Sequence, residues 1–142
     1  MKKDLSKFLD FKPYKAKKGE EYMCPDQVDH FKRILLEWKN LLMKEADKTV
    51  EHMKNDSTKL SDPNDAATQE EEFRLELRTR DRERKLIIKI DQALQRVDDG
   101  HYGFCEDTGE PIGIKRLEAR PIATLCIEAQ ERHERLEKTQ VD

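Results

Sequence analysis

Cys105 and Cys126 have the residue type and the spacing to bind metal, but half of the ligand set is missing. In the stretch CEDTGEPIGIKRLEARPIATLCIEA, residues 105 to 129, Cys105 and Thr108 take the spacing of a CxxC pair. Cys126 and Ala129 do the same, with seventeen residues between the pairs. Four cysteines at these positions would make a zinc site, because paired thiolates are soft, anionic and adjacent along the chain. Thr108 instead offers a neutral hydroxyl and Ala129 a methyl group. His101 and His133 lie four residues before Cys105 and seven after Cys126, outside the usual ligand spacing. The residues favour two free thiols in a fold that needs no metal; a reversible disulfide and a weak zinc site are the alternatives. A complete structural zinc site contributes about 10 to 16 kcal/mol, so apolar packing and hydrogen bonds are expected to take its place.

A second constellation is SDPND at residues 61–65. Asp62 can cap a helix, Pro63 can fill its first position, and Asp65 falls in the first turn, followed by Ala66 and Ala67. Capping alone accounts for these carboxylates, which also interact favourably with the helix dipole. The alternative is an acidic probe that reaches into a cavity of another molecule. A third feature is EEEFRLELRTRDRERKLIIK, residues 70–89, whose mixed charges permit many i to i+4 pairs and so describe a solvated helix face. Arg74, Arg78, Arg82 and Lys89 nevertheless recur at four- and seven-residue steps, a stripe suited to an acidic protein surface or a phosphorylated ligand.

Long helices must position these groups. Val28, Phe31, Leu35, Trp38 and Leu42 recur at steps of three and four, the seam of a coiled coil, and Pro25 sits where that helix can begin. The seam weakens through Glu45, Thr49 and Met53. A second helix is predicted from Pro63 to Asp99, with Leu86, Ile90, Ala93 and Val97 near its end and Gly100 as its stop. Joined by a turn of four or five residues, two such helices lie antiparallel, each roughly 50 Å long. Stability is expected to fall toward the turn. Residues 101–116 read as turns, and Leu117 to about Lys138 as a final helix whose start Pro121 leaves open. Phe104, Ile112, Ile114, Leu117, Ile122 and Leu125 are the expected small core against the hairpin base. The fold class is thus mainly α: a tail over 1–24, a coiled-coil hairpin over 25–99 with its tip at 61–67, and a head over 100–142. The tail is rich in lysine and reads as loosely ordered or part of the head.

Composition narrows the function classes. Charged residues make up 42% of the 142, with a formal net charge of −3, which gives no general attraction to nucleic acid. Direct DNA binding is not expected. No window approaches a membrane span and the N-terminal apolar run is too short for a signal peptide, so a cytoplasmic monomer is expected. Three cysteines, an odd number, fit a reducing compartment. Nothing resembles a Ser, His and acid arrangement or a phosphate-binding glycine loop, so no enzyme is read.

The order DPNDAATQEEEFRLELRTRDRERKLI, followed by the interrupted knuckle with GIKRLEARP inside it, resembles the DksA family of bacterial transcription factors over roughly residues 19–138. The resemblance implies a hairpin that enters the secondary channel of RNA polymerase and modulates promoter complexes, ribosomal RNA promoters among them, together with (p)ppGpp. It maps the family's DxxDxA tip onto Asp62, Asp65 and Ala67, and polymerase contacts onto Arg78 and Arg82. It maps the alarmone site onto Leu86, Lys89 and Arg120; a lysine expected nearby is Gln130 here. Among its members, those with an incomplete cysteine set resemble zinc-independent paralogues, which suits Cys105, Thr108, Cys126 and Ala129 and implies no zinc cofactor. A transcript-cleavage factor of the same channel and a structural coiled-coil adaptor are the competing functions.

Overall fold

The computed structural model describes residues 11–56 and 63–140. Four helices follow in order: α1 over Pro25–Asp56, α2 over Pro63–Asp99, α3 over Ile114–Ala119 and α4 over Ile127–Gln140. The only extended pairing among the described residues is a bridge between Phe104 and Pro111. The architecture is mainly helical, a long helical hairpin followed by a C-terminal helix. The chain divides into two compact units, one of residues 1–37 and 92–142, the other of residues 38–91. The first is called the head here and the second the hairpin unit. The helix bounds fall at Pro25 and Asp99, whereas the compact units divide within α1 and α2, so the first three turns of α1 belong to the head.

In the hairpin unit, two antiparallel helical segments face each other with few large apolar groups. Lys39 Nζ reaches Asp91 Oδ1 at 2.6 Å across the pair, and Ile90 is fully buried. Farther along, the seam carries acid: one oxygen of Glu83 is buried with no partner. Burial, then the nearby charge of Glu45, raises the Glu83 pKa. Leu41, Met43, Leu75, Leu77 and Ile88 remain exposed. The charged sequence between Arg74 and Lys85 supplies local pairs, such as Lys85 with Asp81 at 3.1 Å, of the kind worth little each.

The head is built around Phe31, Ile34, Leu35, Tyr102, Ile112, Leu117 and Pro121, all buried. Ile112 and Leu117 occupy the expected core, while Phe104, Ile114, Ile122 and Leu125 are only half-buried. The expected single helix from Leu117 to Lys138 is two helices. Arg120 precedes Pro121, which disfavours helical backbone at Arg120, and its φ of −139° ends α3. Pro121 is instead a core residue whose carbonyl accepts the Tyr102 hydroxyl at 2.7 Å.

The described residues before α1, 11–24, join the head. Glu20 is its hub: it accepts the hydroxyl of Tyr14, the thiol of Cys24 at 3.1 Å and the amide of Lys17 at 2.9 Å. These hydrogen bonds favour the ionised carboxylate, with Tyr14 the largest contributor, and hold its pKa at about 2. The amide of Tyr14 donates to Glu118 of α3 at 3.1 Å. His30 sits among Phe11, Tyr14 and Phe31, with ring centroids 5.1 to 6.0 Å away.

Candidate functional site

The head positions the interrupted knuckle. Gly100, with φ +80°, closes α2 in a Schellman turn: the amide of His101 donates to the Arg96 carbonyl at 2.9 Å and that of Gly100 to Val97 at 3.2 Å. Arg96 then folds over the departing chain. Its guanidinium donates to the carbonyls of His101 at 3.1 Å and Phe104 at 2.6 Å and pairs with Glu106 at 2.5 Å. Tyr22 braces the other side. Its hydroxyl donates to the Gly103 carbonyl at 2.7 Å and accepts the Gly113 amide at 2.9 Å, while its ring packs edge-on against Phe104. Gly103 has φ +90° and lies against Met23, so close that a Cβ there would come within 2.7 Å of the Met23 sulfur.

The first half of the knuckle is a tight turn. The Cys105 amide donates to Glu110 at 2.8 Å and the Gly109 amide to Cys105 at 2.9 Å. The second half is a helix start: Gln130 donates to the Cys126 carbonyl at 2.9 Å, making Cys126 the residue that leads into α4. A strut links the halves, from the Glu106 amide to the Thr124 carbonyl at 2.9 Å. His133 of α4 and Asp107 of the turn meet at 2.5 Å.

Of the four positions of the sequence motif, Thr108 and Cys126 are brought into contact. Cys105 and Cys126 are buried and both thiols are free, and Ala129 is wholly buried. Thr108 accepts the amide of Glu110 at 3.3 Å, and its oxygen is 3.9 Å from Cys126 Sγ, a contact in which either the hydroxyl or the thiol can donate. Burial acts to raise the Cys105 pKa. The Thr108 hydroxyl and the amides of Cys126, Thr108 and Asp107 favour the thiolate and outweigh it, bringing the group down to about 6.

This donor set does not fit a four-ligand zinc site. Two thiols, one hydroxyl and one methyl occupy the positions, and among the described residues no group of three or more His, Cys, Asp or Glu could hold a metal ion. His133 is engaged with Asp107 and His101 is exposed. Sequence reasoning found the four positions but not their supports: Tyr22, Arg96 and Tyr102 carry no motif, and only their polar tips on bulky bodies hint that they need buried partners.

The other predicted positions fall as follows. Asp62 lies outside the described residues. Asp65 is in the first turn of α2, with its side chain outside the described set, and Ala67 is exposed two residues on. Arg78, Arg82 and Lys89 are exposed along α2, and Leu86 is half-buried beside them in sequence. Arg120 is exposed at the end of α3 in the head. Gln130 is half-buried and donates to Glu134 at 3.2 Å. Among the described residues no helix is long and apolar enough to cross a membrane.

Comparison with known proteins covers most of the chain. Residues 27–97 match the family model described as the DnaK suppressor protein DksA, N-terminal domain. Residues 100–135 match that of the prokaryotic dksA/traR C4-type zinc finger, although this segment holds only two cysteines. The chain is 53% identical over 129 residues to the RNA polymerase-binding transcription factor DksA of Caulobacter vibrioides, covering 91% of each. It is 57% identical over 118 residues to the protein of that name from Salmonella typhimurium, covering 83% of this chain and 78% of that one. Among solved structures, transcription factor DksA2 from Pseudomonas aeruginosa superposes with a TM-score of 0.78 at 42% identity, over 82% of this chain and 90% of that one.

Proposed function

Because the chain belongs to the DksA family, we propose that it binds RNA polymerase directly and regulates transcription without itself catalysing a reaction. The observation that carries this reading is the helical hairpin over Pro25–Asp56 and Pro63–Asp99, with Asp65 and Ala67 of the acidic motif in the first residues of its second helix, in a chain related along most of its length to RNA polymerase-binding factors.

In this proposal the turn between α1 and α2 enters the secondary channel of the polymerase. Asp62 and Asp65 bring negative charge to the interior, Ala67 allows close approach, and Arg78 and Arg82 meet acidic polymerase surface. No bond is made or broken by the chain; it biases the polymerase between promoter-complex states by binding one better than another. (p)ppGpp joins through Leu86, Lys89 and Arg120. The exposed cations at positions 89 and 120 suit phosphate, and Gln130 in place of a lysine removes one charge, so the alarmone effect is weaker than in relatives that carry the lysine. The factor works without zinc, since hydrogen bonds from Tyr22, Arg96 and Thr108 already brace the knuckle.

The test uses purified polymerase. Wild-type chain is expected to bind and to shorten the lifetime of a ribosomal RNA promoter complex, while Asp65→Asn binds nearly as well and inhibits less. A folded chain with no affinity for polymerase would sink the reading. An assay on backtracked complexes separates the transcript-cleavage alternative, which requires RNA cleavage that this proposal does not expect.

A further inference from the structure

The second helix of the hairpin carries a face that neither its seam nor the proposed polymerase stripe uses. Counted at about 100° per residue, Leu77, Arg84 and Ile88 fall within about 20° of one line along α2, with Arg80 and Asp81 on either side of it. Arg78, Arg82 and Lys89 lie about 100° to 140° away in one direction. Glu83 and Ile90, at the seam, lie about 120° to 140° away in the other. From this placement we infer that the Leu77 face is a second polymerase contact, taken up by an acidic surface that also carries apolar side chains. The inference rests on the proposed insertion of the hairpin into the polymerase.

Shape, charge and enclosure support it. Leu77 is 49% and Ile88 50% exposed, so each leaves half of a large apolar side chain in water. Single exposed apolar residues are ordinary, but these two share one line, about 16 Å apart along the axis. A shallow groove of about 330 Å³, lined by Leu77, Arg80, Asp81 and Arg84, runs along that line. The charge between the two apolar residues selects the partner. Asp81 is already held by Lys85 at 3.1 Å and Arg84 at 3.5 Å. Arg80, Arg84 and Lys85 against that single carboxylate leave the face positive, which suits carboxylates flanked by apolar groups and repels a basic surface. Enclosure names the source of those carboxylates. A rod inside a channel is walled on more than one side, so a hairpin held only through Arg78 and Arg82 would leave its other flank positive and half apolar against an unmatched wall. A second acidic contact there grips α2 from both flanks and fixes its rotation about its own axis.

The experiment measures binding of the full chain to purified polymerase, with the helical content of each variant checked by circular dichroism. Arg80→Glu with Arg84→Glu is expected to bind about tenfold more weakly, and the difference to shrink as salt rises. Leu77→Gln with Ile88→Gln is expected to bind about fivefold more weakly at any salt concentration. Lys15→Glu with Lys32→Glu makes the same charge change in the head and is expected to lose less than about twofold. A photo-crosslinking residue in place of Ile88 is expected to join a polymerase segment rich in Asp and Glu. Wild-type affinity in both face variants, an equal loss in the head variant, or a cross-link to a second copy of the chain or to a basic polymerase segment would overturn this inference and leave the polymerase reading standing. Absence of any affinity in the folded wild-type chain would instead remove that reading, and this one with it.

Discussion

Removing one oxygen atom from Tyr22 tests how the head is held. Tyr22→Phe keeps the ring and its edge-on packing against Phe104, with centroids 5.4 Å apart, and deletes only the hydroxyl. The Gly103 carbonyl keeps a donor, because the Ile112 amide reaches it at 2.8 Å. The Gly113 amide loses the acceptor that Tyr22 supplies at 2.9 Å. One net hydrogen bond is worth about 1 kcal/mol, and an orphaned, half-buried donor adds a further penalty of similar size, for a total of about 2 kcal/mol. In a chain of 142 residues that loss lowers the melting temperature by about 4 to 8 °C. Burial raises the Tyr22 pKa, so the phenol stays protonated and able to donate across the neutral range. The assay is thermal and urea unfolding followed by circular dichroism, in buffer containing a strong chelator. A loss below about 0.5 kcal/mol, the range of an inert surface change, would refute the idea that this hydroxyl pins the segment before α1 to the knuckle loop.

Three further outcomes are expected. Gly103→Ala combines a left-handed φ of +90° with a methyl 2.7 Å from the Met23 sulfur; strain and overpacking together cost about 2 to 4 kcal/mol, read from denaturant midpoints. Burial depresses the His30 pKa, against a smaller opposing effect of Glu118. The folded state therefore binds the proton less readily than the unfolded chain, so the His30 contribution is present above the unfolded value of about 6.5 and declines as pH falls below it. Melts from pH 7.5 to 5.5 should show this slope, and His30→Phe should flatten it. Thr108→Cys with Ala129→Cys restores four thiols, and the double variant should purify with one zinc per chain by elemental analysis. Without zinc it should be less stable than wild type by about 1 to 3 kcal/mol, because position 129 is wholly buried and a larger side chain there overpacks its surroundings.

The hairpin was legible because its signals are local and repeated. Pro25, Pro63 and Gly100 mark three helix ends, and Phe31, Leu35, Ile90 and Ala93 follow the helical period that the packing buries. The head was harder, because its order rests on single long-range hydrogen bonds. Nothing in the spacing of Tyr22 shows that it reaches residues 81 and 91 positions away. The lysine-rich composition before α1 leaves open whether the segment is loosely ordered or part of the head; what it does not show is that one carboxylate, Glu20, gathers Tyr14, Lys17 and Cys24. Pro121 leaves the start of the last helix open in the sequence; in the fold it ends α3 and offers a carbonyl to Tyr102. Of the candidate site, the four knuckle positions were readable from spacing alone. That Thr108 accepts the Glu110 amide and also lies beside the Cys126 sulfur is revealed only by the folded turn.

As proposed, this chain regulates polymerase with a head held by hydrogen bonds and apolar packing in place of zinc. The most direct measurement is the lifetime of a ribosomal RNA promoter complex on purified polymerase, with the chain stripped by chelator and shown by elemental analysis to carry no zinc. The account predicts that the stripped chain shortens that lifetime as much as untreated chain, with its helical content unchanged. Loss of both helicity and effect on stripping, recovered only when zinc is returned, would contradict it.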